Sequence, residues 1–544
     1  MKKRILSLLL VFVLVIATFT ACGKAPVNTD NTNKSENKSE DEEKHDEEDD
    51  DPIDAGIAYL SLRKTYGGDS QYDDNGDTYE CRVRCEYAGL ELQDEDADLY
   101  PELNNSLKAL NQEIETLVTD EYDQYDGWSK ESKANGEDTY FPYYIDRDML
   151  VRRADTSVLS LSIPLSNYSG GAHGWYGDFP RSFDTKTGKE IKFVDIVKDI
   201  DKMYDYITGR LMEKYSEEWD MFIQFQLEDQ DPYELYKNGT AEQGFYFGNE
   251  GITVIFNPYD LAAYAAGPQE IYIPYKGNED LFADGRYFDE HLDDYAVGIQ
   301  LGSNYCSDIF GDGKEDTFSF YMNINSDDYE HVDGLYFNVN GQSYNIEADF
   351  YSFDQHAYLV KNAEGKVFLY LLSAEFNDYS LIYVYEITPT SVNAVDEVGA
   401  SMWAPAPEGD DWWSWGGIMT DPQHFYIQYR TDILGTTNVH TLAYVGSNGM
   451  PAEYNAVYEF GNRFELTLMK ELKTDTVSES GEKTGTRTLS VGDVVKAYRT
   501  DNETYVDVLM NDGTIIRFNV TATYPFEIDG IRMDELMDGI MYAG

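Results

Sequence analysis

Ser166-Asn167-Tyr168-Ser169-Gly170-Gly171-Ala172-His173-Gly174 is the stretch from which the first half of the chain is read. Ahead of it, Val158-Leu159-Ser160-Leu161-Ser162-Ile163 alternates in the manner of a strand. Behind it, Phe183-Asp184-Thr185-Lys186-Thr187-Gly188-Lys189-Glu190-Ile191 reads as a hairpin. Two adjacent glycines followed by Ala, His and Gly require positive φ or the close approach of another segment. A loop so poor in bulky side chains, tipped by Tyr168 and His173, suits a binding edge. Tyr168, Gly170, Gly171 and His173 are therefore candidate ligand contacts, with a purely structural turn as the other use of the same residues.

The flanking segments supply the rest of a mixed unit. Cys81 to Tyr87 alternates as a strand. After Tyr100-Pro101, the residues Leu103, Leu107, Leu110, Ile114 and Leu117 recur at spacings of four and three, one face of a helix opened by its proline. A second helix is predicted over Asp199 to Glu217, with Met203, Ile207, Leu211 and Tyr215 on one side. Gly244 to Phe256 reads as two short strands around Asn249-Glu250-Gly251, and Glu270-Ile271-Tyr272-Ile273-Pro274 as a closing strand.

Several of these motifs, in order, resemble one known extracytoplasmic domain. They are Tyr168-Ser169-Gly170-Gly171-Ala172-His173, Phe183-Asp184 with Thr187-Gly188-Lys189, Phe256-Asn257-Pro258-Tyr259 with Tyr264-Ala265-Ala266-Gly267, and Ile273-Pro274-Tyr275. The domain is shared by RsiV-type anti-sigma factors and PdaC-type peptidoglycan deacetylases, and the helix after Tyr100-Pro101 is similar to its N-terminal half. The resemblance covers about residues 56 to 290. It implies an α+β fold with helices on an antiparallel sheet. It also implies binding of lysozyme, as in RsiV-type proteins, and it adds Tyr259 and Tyr264 to the candidate contacts. An anti-sigma factor needs a cytoplasmic segment, whereas only four residues precede the apolar run here. A deacetylase needs an Asp-Asp and His-rich metal set, which is not found downstream. The binding half of the family's function is thus expected, without its signalling output or its catalysis.

The N-terminus sets the expected address. Lys2, Lys3 and Arg4 precede the apolar run Ile5 to Phe19, too short for a span of roughly 20 residues but suited to a signal peptide. Phe19-Thr20-Ala21-Cys22-Gly23 resembles the lipobox of bacterial lipoproteins, which implies lipidation at Cys22 and anchoring to the outer face of the cytoplasmic membrane. Residues 22–57 form an acidic tether, with thirteen acidic residues against three lysines between Ala25 and Gly56. Most of the formal charge of −61 nevertheless belongs to the later residues. Such acidity excludes nucleic acid and favours a basic protein, lysozyme or another cell-wall-active protein, or a divalent cation. Cys81 and Cys85 lie about 13 Å apart along one strand, beyond disulfide reach, and are expected to pack as small hydrophobes.

Residues 291–470 read as short strands separated by polar turns, a propeller-like array or a sandwich. Asp308-Ile309-Phe310-Gly311-Asp312-Gly313-Lys314-Glu315-Asp316 looks like a calcium loop, with Asp308, Asp312 and Asp316 as ligands. A tight acidic turn is the alternative, since Phe310 and Ser319 stand where ligands belong. Trp403, Trp412, Trp413 and Trp415 suggest either a sugar-stacking platform or ring packing between strands. Residues 471–544 suggest a small SH3-like β-barrel, with a hairpin at Asp512-Gly513. The chain is thus expected to be a non-catalytic, membrane-anchored ligand-binding or sensing protein. A fragment of a cell-wall polysaccharide-modifying enzyme and a carbohydrate-binding scaffold are the alternatives.

Overall fold

A computed structural model describes residues 58–74, 79–136, 142–229, 232–283, 285–289, 292–325, 331–351, 354–374, 380–405, 415–461, 463–521 and 523–542. Cys22, the acidic tether, Trp412 and Trp413 lie outside the described residues.

The first half is built from eleven strands: β1 (Leu62–Asp74), β2 (Tyr79–Leu92), β3 (Tyr143–Arg147), β4 (Leu150–Ala154), β5 (Val158–Ser162), β6 (Pro164–Tyr168), β7 (Trp175–Asp178), β8 (Arg181–Asp184), β9 (Gly244–Phe247), β10 (Gly251–Phe256) and β11 (Gln269–Pro274). β1, β2, β3, β6 and β7 lie in that order in a six-stranded sheet. The sheet is mixed, not antiparallel throughout, because β2 and β3 run parallel. Parallel neighbours need a long crossover, and the helix Pro101–Ala134 supplies it. Its inner face is Leu103, Leu107, Leu110, Ile114, Val118, Tyr122 and Tyr125. Val118 takes the place expected for Leu117, which is half-buried, because the stripe advances by four. Asn111 fastens this helix to the sheet: its amide accepts from Leu90 N–H at 3.1 Å and donates to Leu90 C=O at 2.9 Å.

The strand expected over Val158–Ile163 is β5, which ends at Ser162, and the chain then enters a strand of a different sheet. β5 pairs with β4 and β8, whereas β6 leaves at Pro164 to join β3 and β7. Asp178 holds the break, accepting from Ile163 N–H at 2.8 Å and from the Ser162 hydroxyl at 2.6 Å. The second helix is shorter than expected, Ile200–Lys214, and Asp199 caps it by accepting from Lys202 N–H. Its buried Met203, Ile207 and Leu211 pack on the sheet β11-β10-β9. Cys85 is a buried member of the first core, and Cys81, Cys85 and Cys306 are free thiols.

The second half is a stack of open sheets. Tyr295–Ile299, Asp354–Lys361, Val367–Ala374, Ser380–Thr388 and Ser391–Val398 form a five-stranded sheet. One of its faces, with Leu359, Leu369, Leu371 and Tyr385, meets Phe318, Phe320 and Phe337 of a four-stranded sheet. The other face, with Tyr358, Val360, Phe368 and Tyr370, meets Phe425, Ile427 and Ala443 of a twelve-stranded sheet. Burial on both sides explains the unbroken apolar run Val367 to Leu372. The described strands close no barrel. Strands after Leu472 continue the twelve-stranded sheet through the pairing of Tyr458–Glu459 with Arg499–Thr500, so neither an SH3-like barrel nor a propeller ring is seen.

The two halves share backbone. The strand Trp415–Gly417 pairs with Arg63–Thr65 and completes the first sheet. The Thr420 hydroxyl donates to Leu60 C=O at 2.7 Å, and Arg63 donates to Pro405 C=O at 3.3 Å.

Candidate functional site

The glycine loop is the turn of the β6–β7 hairpin, at the edge of the six-stranded sheet. Gly170 and Gly171 have φ of 94° and 106°, as the sequence requires of them. They differ in surroundings. A Cβ on Gly170 would stand 2.9 Å from the Tyr143 hydroxyl, whereas one on Gly171 would meet nothing within 4 Å. The Tyr168 hydroxyl donates to Gly171 C=O at 3.2 Å and braces the turn from within.

Beyond the turn an aromatic ledge faces solvent. The imidazole of His173 stacks on the Tyr264 ring. Tyr176 meets the same ring edge-on with centroids 5.3 Å apart, and Tyr259 lies tilted against it at 5.7 Å. His173, Tyr176 and Tyr259 are exposed, Tyr259 to 55%. Nδ1 of His173 donates to Gly174 C=O at 2.7 Å, which makes Nε2 the acceptor of the neutral ring. Desolvation, then the neighbouring phenols of Tyr176, Tyr259 and Tyr144, raises the pKa of Tyr264, so its hydroxyl stays a donor at neutral pH.

Of the six residues singled out by sequence, His173, Tyr259 and Tyr264 are brought into one cluster. Tyr168 lies on the inner side, stacked on Tyr144 at 6.4 Å, and the Arg84 guanidinium covers the Tyr144 ring at 5.2 Å. Gly170 and Gly171 shape the turn. Tyr144, Tyr176 and Arg84 were missed. The signal for Tyr176 was its place directly after the loop in a strand, where alternation sends it away from its half-buried neighbour Trp175.

Asn257 holds the Tyr259–Tyr264 segment against the hairpin. The Asn257 amide accepts from Asp178 N–H at 2.7 Å and donates to Asp178 C=O at 2.9 Å, which gives the Asn-Pro motif a structural role. Tyr259 itself sits at φ 78°, a conformation that costs a residue with a large side chain and persists only where the surroundings impose it.

The other candidates are not assembled as sites. Asp308 accepts from Asp312 N–H at 2.9 Å and from Gly313 N–H at 2.8 Å. Asp316 accepts from Phe310 N–H and from the Asn340 amide, and the Asp312 carboxylate pairs with Lys314 at 2.9 Å. These bonds shape an acidic turn around Gly313. No group of three or more His, Cys, Asp or Glu among the described residues is placed to hold a metal. Trp403 is half-buried and stacked on buried His440 at 3.4 Å, so it packs between strands. Trp415 lies in the short strand against β1.

Residues 99–176 match the family model described as deacetylase PdaC, and residues 193–276 match that described as a protein of unknown function, DUF3298. The chain carries a PdaC/DUF3298-type domain. The aromatic ledge of this PdaC/DUF3298-type domain is built across both matches, with His173 and Tyr176 in the first and Tyr259 and Tyr264 in the second. Among solved structures, a DUF3298 family member from Bacteroides fragilis is 19% identical, covers 42% of this chain and 96% of its own, and superposes with a TM-score of 0.33. A DUF3298 family protein from Pseudomonas aeruginosa is 17% identical, with 41% and 94% covered and a TM-score of 0.28. No curated protein matches. No helix among the described residues is long and apolar enough to cross a membrane.

Proposed function

We propose that the PdaC/DUF3298-type domain is a non-catalytic binding module, held outside the cell by a lipid on Cys22, and that its ligand is a basic cell-wall-active protein of the lysozyme kind. The observation that carries this reading is the exposed stack of His173 on Tyr264, flanked by Tyr176 and Tyr259. Stiff rings with a polar tip supply contact area at small entropic cost, which is why aromatic residues gather in the centres of protein interfaces. The chemistry of the ledge is that of recognition: apolar faces, phenol donors and one imidazole acceptor. The formal charge of −61 favours a cationic partner and makes the association sensitive to salt.

The test is titration of the full chain with a basic lysozyme at low and at moderate salt, beside a soluble glycan fragment of the cell wall. Saturable lysozyme binding that weakens with salt and with His173→Ala supports the reading. Binding of the glycan alone would replace it with a carbohydrate-binding role. A lysozyme interaction indifferent to His173→Ala would move the site elsewhere.

A further inference from the structure

A second surface lies on the helical excursion that follows Ile200–Lys214. It comprises Ser216–Glu218, a π-helical turn Trp219–Ile223 and the helix Gln224–Asp229. Trp219, Ile223 and Leu227, at spacings of four, form its inner side and pack on the core beneath. The N–H of Gln224 reaches back five residues to Trp219 C=O, the widened turn of a π-helix. On the outer side Met221, Phe222 and Phe225 are 61%, 39% and 64% exposed. Phe225 follows the other two by four and three positions, so the three share one face. Large apolar side chains grouped this way in water mark interaction sites, and π-turns occur often at functional positions.

Along this run the charge is of one sign, and Lys237 just beyond it is paired with Asp201 and Glu234. From Tyr215 to Tyr236 the sequence holds seven acidic residues and no lysine or arginine. Glu217, Asp220 and Glu228 are exposed on the same run. The nearest upstream cations, Arg210 and Lys214, are both engaged by Glu315. We infer that Met221, Phe222 and Phe225, rimmed by Glu217, Asp220 and Glu228, dock a cationic amphipathic segment of a partner protein. The apolar stripe of such a segment covers the three side chains, and its lysines or arginines meet the rim. The rim argues against the other occupants. An anionic bilayer and a second copy of this chain would both bring like charge to like.

The probe is a fluorescein-labelled amphipathic helix of leucine and lysine, about 14 residues long so as to make four turns. The full chain is titrated into it and anisotropy is read. The decisive variant is Met221→Ser with Phe225→Ser, which leaves every charge in place; Phe222→Ser is a second variant in case the first does not fold. The expected result is saturable binding that weakens about tenfold or more in either folded variant, a difference of about 1.4 kcal/mol, and that weakens further with salt. Equal binding by the folded variants would mean that general acidity holds the peptide, and the inference would fail. It would fail equally if the peptide did not bind, if the chain floated with phosphatidylglycerol vesicles through these residues, or if sedimentation showed a dimer abolished by the same substitutions.

Discussion

The imidazole of His173 lies flat on the phenol ring of Tyr264, with centroids 4.2 Å apart and planes 20° apart. The two residues belong to different segments of the PdaC/DUF3298-type domain, and Asn257 ties the second segment to the β6–β7 hairpin. An exposed ring pair of this kind contributes about 0.5–1.5 kcal/mol, so His173→Ala is expected to lower stability by no more than about 1 kcal/mol. Its expected effect on lysozyme binding is larger, a loss of about tenfold. Urea unfolding and titration on the same preparation separate the two. Global unfolding of His173→Ala would make the side chain a strut of the fold.

The two glycines of the loop provide an internal comparison. Both are at positive φ, so alanine at either is strained by about 1–2 kcal/mol. Gly170→Ala also brings a methyl group against the Tyr143 hydroxyl, and Gly171→Ala does not. Gly170→Ala is therefore expected to be the more destabilising in urea unfolding. The opposite order would show that Tyr143 yields freely.

Much of this arrangement was legible in the sequence, for reasons that differ from element to element. The glycine pair, the leucine stripe from Leu103 and the hairpin around Asn249-Glu250-Gly251 obey local rules of backbone and periodicity. The separate strand Pro164–Tyr168 was hidden because its residues run straight on from β5 into the glycine loop, while the hydrogen bonds change sheets at Pro164. The contribution of Trp415–Gly417 to a sheet begun at Leu62 was hidden because no local pattern encodes a pairing across so much chain. Tyr176 escaped notice for a related reason: its partner Tyr264 is distant in sequence.

The acidic turn at Asp308 yields a prediction about calcium. Both oxygens of this buried carboxylate accept backbone N–H groups, and Asp308→Ala leaves those donors unsatisfied at a cost of about 1–3 kcal/mol. Because no three acidic side chains among the described residues are placed together for a metal, millimolar calcium is expected to leave the melting temperature of the native chain unchanged. A clear calcium-dependent rise, lost in Asp312→Ala, would overturn this.

Shared backbone between the halves bears on dissection of the protein. A chain ending at residue 290 lacks Trp415–Gly417 and Thr420, so Arg63–Thr65 becomes an open edge and Leu60 C=O loses its donor. The isolated stretch 58–290 is expected to be aggregation-prone and less stable than the same region in the full chain, read by circular dichroism and sedimentation. In the full chain, Thr420→Val removes one buried hydrogen bond and should cost about 1 kcal/mol. A monomeric, cooperatively folding 58–290 segment would show that the late strand is dispensable.

His440 gives the chain a stability term of defined sign. It is buried against Trp403, its Nδ1 has no hydrogen-bond partner among the described residues, and burial followed by the Arg463 charge pushes its pKa down to about 4. In the unfolded chain an imidazole titrates near 6.5. Between these values the unfolded chain holds more protons than the folded one, so stability must rise with pH across that interval. The contribution of neutral His440 is complete above about pH 6.5 and is lost as pH falls towards about 4. The acidic groups of the chain titrate in part of the same range, so the informative quantity is a difference. His440→Phe keeps a ring on Trp403 and removes the proton site. Denaturant unfolding at pH 7.5 and at pH 4.5 is expected to show a smaller loss of stability in the variant than in the native chain, by about 1–3 kcal/mol. An equal loss in both would mean that the native fold admits the imidazolium without cost, through water or through movement of Arg463.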